Sequence, residues 1–168
     1  MEYSAQHGQA NGEKWWRPLS PTKGAWVFAG SHQLSIDDKG RLAIPARFRA
    51  QLDGANVFIT RAHKPCLEIY PASEFHRLAE QIEGLEDRVK ADVLKEVFIG
   101  HAVETEVDKQ GRVLLPQLLR KYAALDGTVM VVGQIKRFDV WSESSWQKKF
   151  GGAPAAENLA DAFALLKR

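Results

Sequence analysis

One fourteen-residue element occurs twice in this chain, and that repetition constrains the fold more than any other feature. IDDKGRLAIPARFR (36–49) aligns with VDKQGRVLLPQLLR (107–120) at an offset of 71, with five identities and four conservative apolar changes. The identities are Asp37/Asp108, Gly40/Gly111, Arg41/Arg112, Pro45/Pro116 and Arg49/Arg120. The match extends further. Leu52-Asp53-Gly54 parallels Leu125-Asp126-Gly127, VFIT (57–60) parallels VMVV (129–132), and CLEIYP (66–71) parallels RFDVWS (137–142). An internal repeat of this length implies two copies of one supersecondary unit. A unit of some fifty residues is too small for an ample core, so the two copies are expected to pack on each other.

Each copy can be read locally. HQLSI (32–36) and AVETEV (102–107) lead as strands into an Asp/Lys/Gly-rich reversal in which glycine supplies positive φ. RLAI and RVLL follow as short, largely buried strands. Pro45 and Pro116 end those strands where a helix can begin. ARFRAQL carries Phe48 and Leu52 four apart, and QLLRKYA carries Leu118, Leu119, Tyr122 and Ala123 at helical spacing. Asp-Gly turns and two more strands come next, with Ser73 and Ser142 as N-caps of helices running to 82 and 150. Trp141 and Trp146 align with Tyr70 and Phe75, which assigns them to packing. Leu85, Val89, Val93, Leu94, Val97 and Phe98 predict an amphipathic connecting helix over 85–98. The expected fold is α+β, two βαββα units around a shared β core. The domain reading is 1–26 as an N-terminal extension, 27–82 and 99–150 as the repeats, 83–98 as the connector and 151–168 as a tail. In the tail, Leu159, Phe163 and Leu166 form an apolar row.

Charge narrows the function classes. A net charge of +2 does not announce a nucleic-acid binder, so any such role must rest on local clusters. Residues 36–52 hold four cations against two acids, residues 107–124 four against one, and residues 83–96 three against five. The positive clusters fall on the two copies of the repeat. Cys66 is the one cysteine, which excludes an intrachain disulfide and suits a reducing, cytoplasmic setting. No apolar run approaches the roughly 18 residues of a membrane span.

FAGSHQLSIDDKGRLAIPARFR and EVDKQGRVLLPQLLR resemble the two copies of the D-x-x-x-R-x-x-x-P element of the MraZ family, and CLEIYPASEF and RFDVWSESSW resemble its strand–helix junctions. The resemblance covers about residues 27–150. It implies an AbrB-like swapped-hairpin barrel, a transcriptional regulator acting on DNA in the nucleoid, and ring-shaped homo-oligomers. It also implies binding to short direct repeats upstream of the protein's own operon in a division and cell-wall gene cluster. Two departures stand out. Members of the family usually start with Met at the position of Val27, so residues 1–26 are extra, as an upstream start or a flexible arm. Asp38 stands where the second copy has Lys109.

On that resemblance the expected DNA-contacting residues are Lys39, Arg41, Lys109 and Arg112. Arginine reads guanine edges bidentately, lysine supplies point charge, and a β-ribbon can enter the major groove. Asp37 and Asp108 are expected to orient the arginines, while Gly40, Pro45, Gly111 and Pro116 shape the turn and its exit. The competing reading of Asp37–Arg41 is a salt bridge that only fixes the turn. Arg47, Arg49, Arg120 and Lys121 lie on the short helices, as solvated charges or as phosphate or interface contacts. The matching of Arg49 and Arg120 suggests a structural bond common to both copies.

Other classes find little support. The order Asp53-Gly54-Ala55 and Asp126-Gly127-Thr128 is not the D-[ST]-G of aspartic peptidases, and no nucleotide-binding glycine motif occurs. The histidines lack metal-ligand spacing, and Cys66 reads as a buried strand residue. No enzyme activity, cofactor, metal or small-molecule substrate is expected. The alternatives are a ring-forming scaffold without specific DNA binding, or an AbrB-like antitoxin.

Overall fold

The computed structural model describes residues 27–151 and 156–166; the N-terminal extension lies outside them. The first repeat contributes β1 (Ser31–Ser35), β2 (Arg41–Ala43), α1 (Ala46–Arg49), β3 (Asn56–Arg61), β4 (Cys66–Pro71) and α2 (Ala72–Glu83). A connector follows, made of α3 (Arg88–Leu94) and one π-helical turn (Lys95–Ile99). The second repeat gives β5 (Val103–Glu106), β6 (Arg112–Leu114), α4 (Gln117–Tyr122), β7 (Thr128–Gly133), β8 (Phe138–Ser142) and α5 (Glu143–Phe150). A last helix, α6, spans Ala156–Ala164. No helix among the described residues is long and apolar enough to cross a membrane.

Each repeat thus runs ββαββα, one strand more than a βαββα unit, and the leading strand pairs outside its own repeat. β1 pairs antiparallel with β7, and β5 pairs antiparallel with β3. With β4 and β8 paired at the centre, the sheet order is β1-β7-β8-β4-β3-β5. β2 and β6 form a separate antiparallel ribbon. The exchange is reciprocal, so neither repeat completes its sheet alone.

The core lies between sheet and ribbon. Val57, Ile59, Leu67, Ile69, Val129, Val131, Phe138 and Val140 of the sheet meet Leu42, Ile44, Val113 and Leu115 of the ribbon region, all fully or almost fully buried. Each such side chain contributes about 1.5–3 kcal/mol by leaving water. Phe48 of α1 sits between Phe28 and Phe138, with ring centroids 5.4 and 5.3 Å away. The two short strands are not buried throughout. They alternate: Leu42 and Val113 point inward, while Ala43 and Leu114 are exposed, because only one face of the ribbon meets the core. Leu118 is likewise exposed, and Leu119 and Ala123 supply the buried side of α4 and its end.

The outer face of β4 and β8 is covered by the helices. Trp146 meets Trp141 edge-on at 6.2 Å, and Phe75 meets Tyr70 at 6.3 Å, so the aligned aromatic pairs pack alike. Ser142 caps α5 by accepting the Ser145 N–H at 3.2 Å. Ser73 is no cap. α2 begins one residue earlier, after Pro71, which aligns with Ser142 and has no side-chain acceptor. The Ser73 N–H turns to the Asp53 carboxylate, 3.3 Å away. Ser142→Ala is therefore expected to lower stability by about 1 kcal/mol, and Ser73→Ala to leave it nearly unchanged, in parallel urea titrations.

The connector also departs from expectation. Asp87 caps α3 by accepting the Lys90 N–H at 3.1 Å, so the helix starts at Arg88, not near 85. Within α3 only Ala91 is buried, and Val89, Val93 and Leu94 face outward. The π-helical turn rotates Phe98 onto Tyr70 and Phe75, at 5.6 and 5.5 Å. Thr60 donates its hydroxyl to the Phe98 carbonyl at 2.6 Å. These three long-range contacts thus override the continuous helical period. Leu159 of α6 is exposed, as is Leu166 beyond the helix end.

Candidate nucleic-acid interface

The reversal between β1 and β2 is built by Asp37. Its N–H donates to the Arg41 carbonyl at 3.0 Å and its carbonyl accepts the Gly40 N–H at 2.8 Å. These bonds close a three-residue loop whose last residue, Gly40, has φ +83°, the left-handed position such loops require. The Asp37 carboxylate then does two things. Oδ1 accepts the backbone N–H groups of Lys39 and Arg41, at 3.0 and 2.9 Å. Oδ2 accepts the Arg41 Nε–H at 2.7 Å. The Arg41 backbone N–H foremost holds the Asp37 carboxyl below its ordinary range.

The second copy repeats this geometry. Asp108 Oδ1 accepts the N–H groups of Gln110 and Arg112, both at 2.9 Å, and Oδ2 accepts the Arg112 Nε–H at 2.9 Å. The Asp108 carboxyl is lowered for the same reason, and Gly111 has φ +78°. In both turns the aspartate grips the arginine through Nε. The two terminal nitrogens of each guanidinium form no hydrogen bond among the described residues.

The ribbon brings the two arginines together. Arg41 lies directly opposite Leu114, and Ala43 directly opposite Arg112. These four residues occupy the outer face, while Leu42 and Val113 are pinned in the core. The ribbon is tied at each end through a turn glycine of the other repeat. The Ile44 N–H donates to the Gly111 carbonyl and the Leu115 N–H to the Gly40 carbonyl, both at 2.9 Å. Lys39 and Lys109 are exposed beside the turns at non-equivalent positions: Lys39 aligns with Gln110, and Lys109 with Asp38.

The helix cations divide. Arg47 and Lys121 are exposed. Arg120 crosses to the first turn, where a Cβ added to Gly40 would lie 2.7 Å from its Cζ, and its Nε–H donates to the Leu115 carbonyl at 3.0 Å. Arg49 crosses to Gly111 in the same way. Both arginines lie against the turn of the opposite repeat, but among the described residues only the Arg120 side chain is held there by a hydrogen bond. Pro45 and Pro116 stand at the N-caps of α1 and α4, so those helices begin without a side-chain cap.

Sequence reasoning missed a second constellation, on the other side of the sheet. Glu68 and Asp139 face each other across β4 and β8, both buried. Arg137 serves both: Nε donates to Asp139 Oδ1 at 2.9 Å, and Nη2 lies 3.1 Å from Glu68 Oε1. Tyr70 donates to Glu68 Oε2 at 2.7 Å. Burial and the Glu68 charge push the Tyr70 phenol up, so it remains the donor. The signal was present in CLEIYP and RFDVWS, where an acid interrupts an apolar strand at matched positions. Burial foremost pushes the nearby Cys66 thiol up to about 12, so it is no nucleophile at neutral pH. Among the described residues no group of His, Cys, Asp and Glu is placed to hold a metal.

Similarity to known proteins agrees with this repeat architecture. The model of the MraZ protein family, described as antitoxin-like, matches residues 27–95 and again 98–166. A protein of Desulforamulus reducens named transcriptional regulator MraZ is 40% identical over 141 residues, covering 80% of this chain and 99% of its own. One of Salinispora arenicola with the same name is 40% identical over 136 residues, covering 80% and 94%. One of Coxiella burnetii, strain Dugway 5J108-111, also so named, is 38% identical over 126 residues, covering 72% and 83%. Two adjacent matches to one family model, on a chain whose two repeats exchange strands and share a ribbon, lead to one assignment: this chain belongs to the MraZ family.

Proposed function

We propose that this chain is a sequence-specific DNA-binding transcriptional regulator that reads DNA with the outer face of the β2–β6 ribbon. The observation that carries the reading is the pair of arginines on that face, each gripped at Nε by an aspartate of its own turn. A two-stranded ribbon fits the major groove, and an arginine held this way has its terminal nitrogens free to meet the two acceptors of a guanine edge. Arg41 and Arg112 read bases, and Lys39 and Lys109 hold phosphates. Arg49 and Arg120 act indirectly, by bracing the turns. Three relatives named as transcriptional regulators support the role.

In this reading the exchanged strands and the overlying ribbon form an AbrB-like swapped-hairpin core. Several chains close into a ring through head-to-tail contacts, so weak ribbons act together on short direct repeats upstream of the protein's own operon in the division and cell-wall gene cluster. That arrangement reconciles specific binding with a net charge of only +2. The protein then works in the cytoplasm, on the nucleoid.

Footprinting on the region upstream of the gene tests this. The expected result is discrete protection, with Arg41→Ala lowering specific affinity by about 5- to 150-fold at fixed salt and leaving the oligomer unchanged by size-exclusion chromatography. Binding that is only nonspecific and salt-sensitive in the wild-type chain overturns the regulator reading and favours a scaffold. The family's antitoxin-like description supports a second reading, for which tight capture of a partner toxin without a footprint is the distinguishing result.

A further inference from the structure

The outer face of the ribbon is a square of four side chains in which the pseudo-symmetry is broken. Arg41 stands across from Leu114, whereas Arg112 stands across from Ala43. Residues directly opposite on an antiparallel pair have Cβ atoms about 4.5–5.5 Å apart. Each arginine therefore has one apolar neighbour directly beside it on the face. The neighbour of Arg41 is a leucine, 53% exposed, and the neighbour of Arg112 is a lone methyl group. A single exposed leucine is ordinary on a protein surface. This one is different in its position. It cannot turn inward, because Val113 and Leu115 on either side fill the core at 0% exposure. It shares a narrow face with two oriented guanidinium groups and a small residue.

We propose that Leu114 reads the 5-methyl group of a thymine next to the base contacted by Arg41, so that the two halves of the ribbon recognise different base steps. The inference rests on the ribbon being the DNA-reading surface. Thymine alone presents a methyl group in the major groove, and an apolar side chain is what detects it. Arg41 and Leu114 come from different repeats, so the reading unit is composite and exists only because β2 and β6 pair. On the Arg112 side, Ala43 is too short to reach past the guanidinium, and that half discriminates through arginine alone. The asymmetry gives each copy of the protein a direction on the DNA, which suits sites arranged as direct repeats.

The test uses the full chain and a DNA fragment from upstream of its own gene, amplified with either dTTP or dUTP, which differ only in that methyl group. Wild-type protein is expected to bind the thymine fragment about fourfold more tightly for each contacted methyl. Leu114→Ala is expected to bind the thymine fragment at the wild-type level for uracil DNA, and to be indifferent to the exchange. Ala43→Leu is expected to increase the methyl dependence. Specific footprints that ignore the methyl group in the wild-type chain overturn this inference and leave the ribbon as a DNA reader. An equal loss by Leu114→Ala on both fragments overturns it too. A change of oligomer size in Leu114→Ala, with methyl dependence retained, assigns the residue to a contact between copies instead. Absence of any specific footprint overturns the DNA reading and this inference together.

Discussion

Replacing Arg137 with alanine is expected to lower stability by about 3 kcal/mol at pH 7. That is the lower end of the range for breaking a buried ion pair, since a quarter of the Arg137 side chain is exposed. The reason is an imbalance between the repeats. Glu68 and Asp139 are equivalent positions and meet face to face at the centre of the sheet, where like charges directly opposite repel. Arg137 aligns with Cys66, so the cation in direct contact with both acids comes from the second repeat alone. Without it, two buried carboxylates lose their common partner. Asp139 already has one buried oxygen, Oδ2, with no hydrogen-bond partner, and burial foremost holds its carboxyl above the ordinary value.

The sign of the pH dependence follows. A carboxyl whose pKa is raised on folding binds a proton more readily folded than unfolded, so acidification favours the folded state until the pH reaches the unfolded value. The deficit of Arg137→Ala is therefore expected to shrink between pH 7 and about pH 5, as protonation removes the need for a cation. Chemical denaturation at both pH values measures it. Combining Arg137→Ala with Glu68→Gln and Asp139→Asn is expected to recover most of the loss at pH 7. A deficit that is the same at both pH values, and that survives in the triple variant, points to lost packing against Tyr70 instead.

Much of the local structure was legible because it is local. The turns, the Pro45 and Pro116 helix starts and the paired aromatics depend on residues a few positions apart, and the repeat let each copy check the other. The partner of each strand was not legible. Apolar periodicity says which face of β1 turns inward, and nothing in HQLSI says that it lies on β7 and not on its own repeat. Everything that depends on the exchange was hidden with it: the opposition of Arg41 and Leu114, the reach of Arg120 to Gly40, and the facing acids. The match of Arg49 and Arg120 suggested a structural bond common to both copies. What the copies share is a side chain lying against the turn glycine of the other repeat, and among the described residues only the Arg120 side chain forms a hydrogen bond, to Leu115 of its own repeat. Ser73 and the connector show the converse limit. A cap motif and a helical period were both present, and Asp53, Asp87 and Phe98 overrode them through contacts made only in three dimensions.

The crossed arginines make the two turn glycines unequal, and substitution exposes this. An L-residue in the left-handed region costs about 1–2 kcal/mol, and both Gly40 and Gly111 occupy it. At Gly111 a new methyl group meets the Arg49 side chain, which is exposed and can swing into solvent. Gly111→Ala is therefore expected to stay near 1–2 kcal/mol. At Gly40 the methyl group meets the guanidinium of Arg120, which is half-buried and bonded to the Leu115 carbonyl. Moving it breaks that bond and disturbs the Leu115–Gly40 tie beside it, so Gly40→Ala is expected to cost about 2–3 kcal/mol. Asparagine, which tolerates the left-handed region, relieves the backbone part but not the collision. The decisive comparison is made in an Arg120→Ala background. There the additional cost of Gly40→Ala is expected to fall to that of Gly111→Ala, whereas Arg49→Ala leaves the Gly40 effect unchanged. Equal costs at the two glycines, or no coupling between residues 40 and 120, would falsify the crossed bracing of the turns. Because the Gly40 turn carries Lys39 and leads into Arg41, any DNA binding by the ribbon is expected to weaken with the same pattern of coupling.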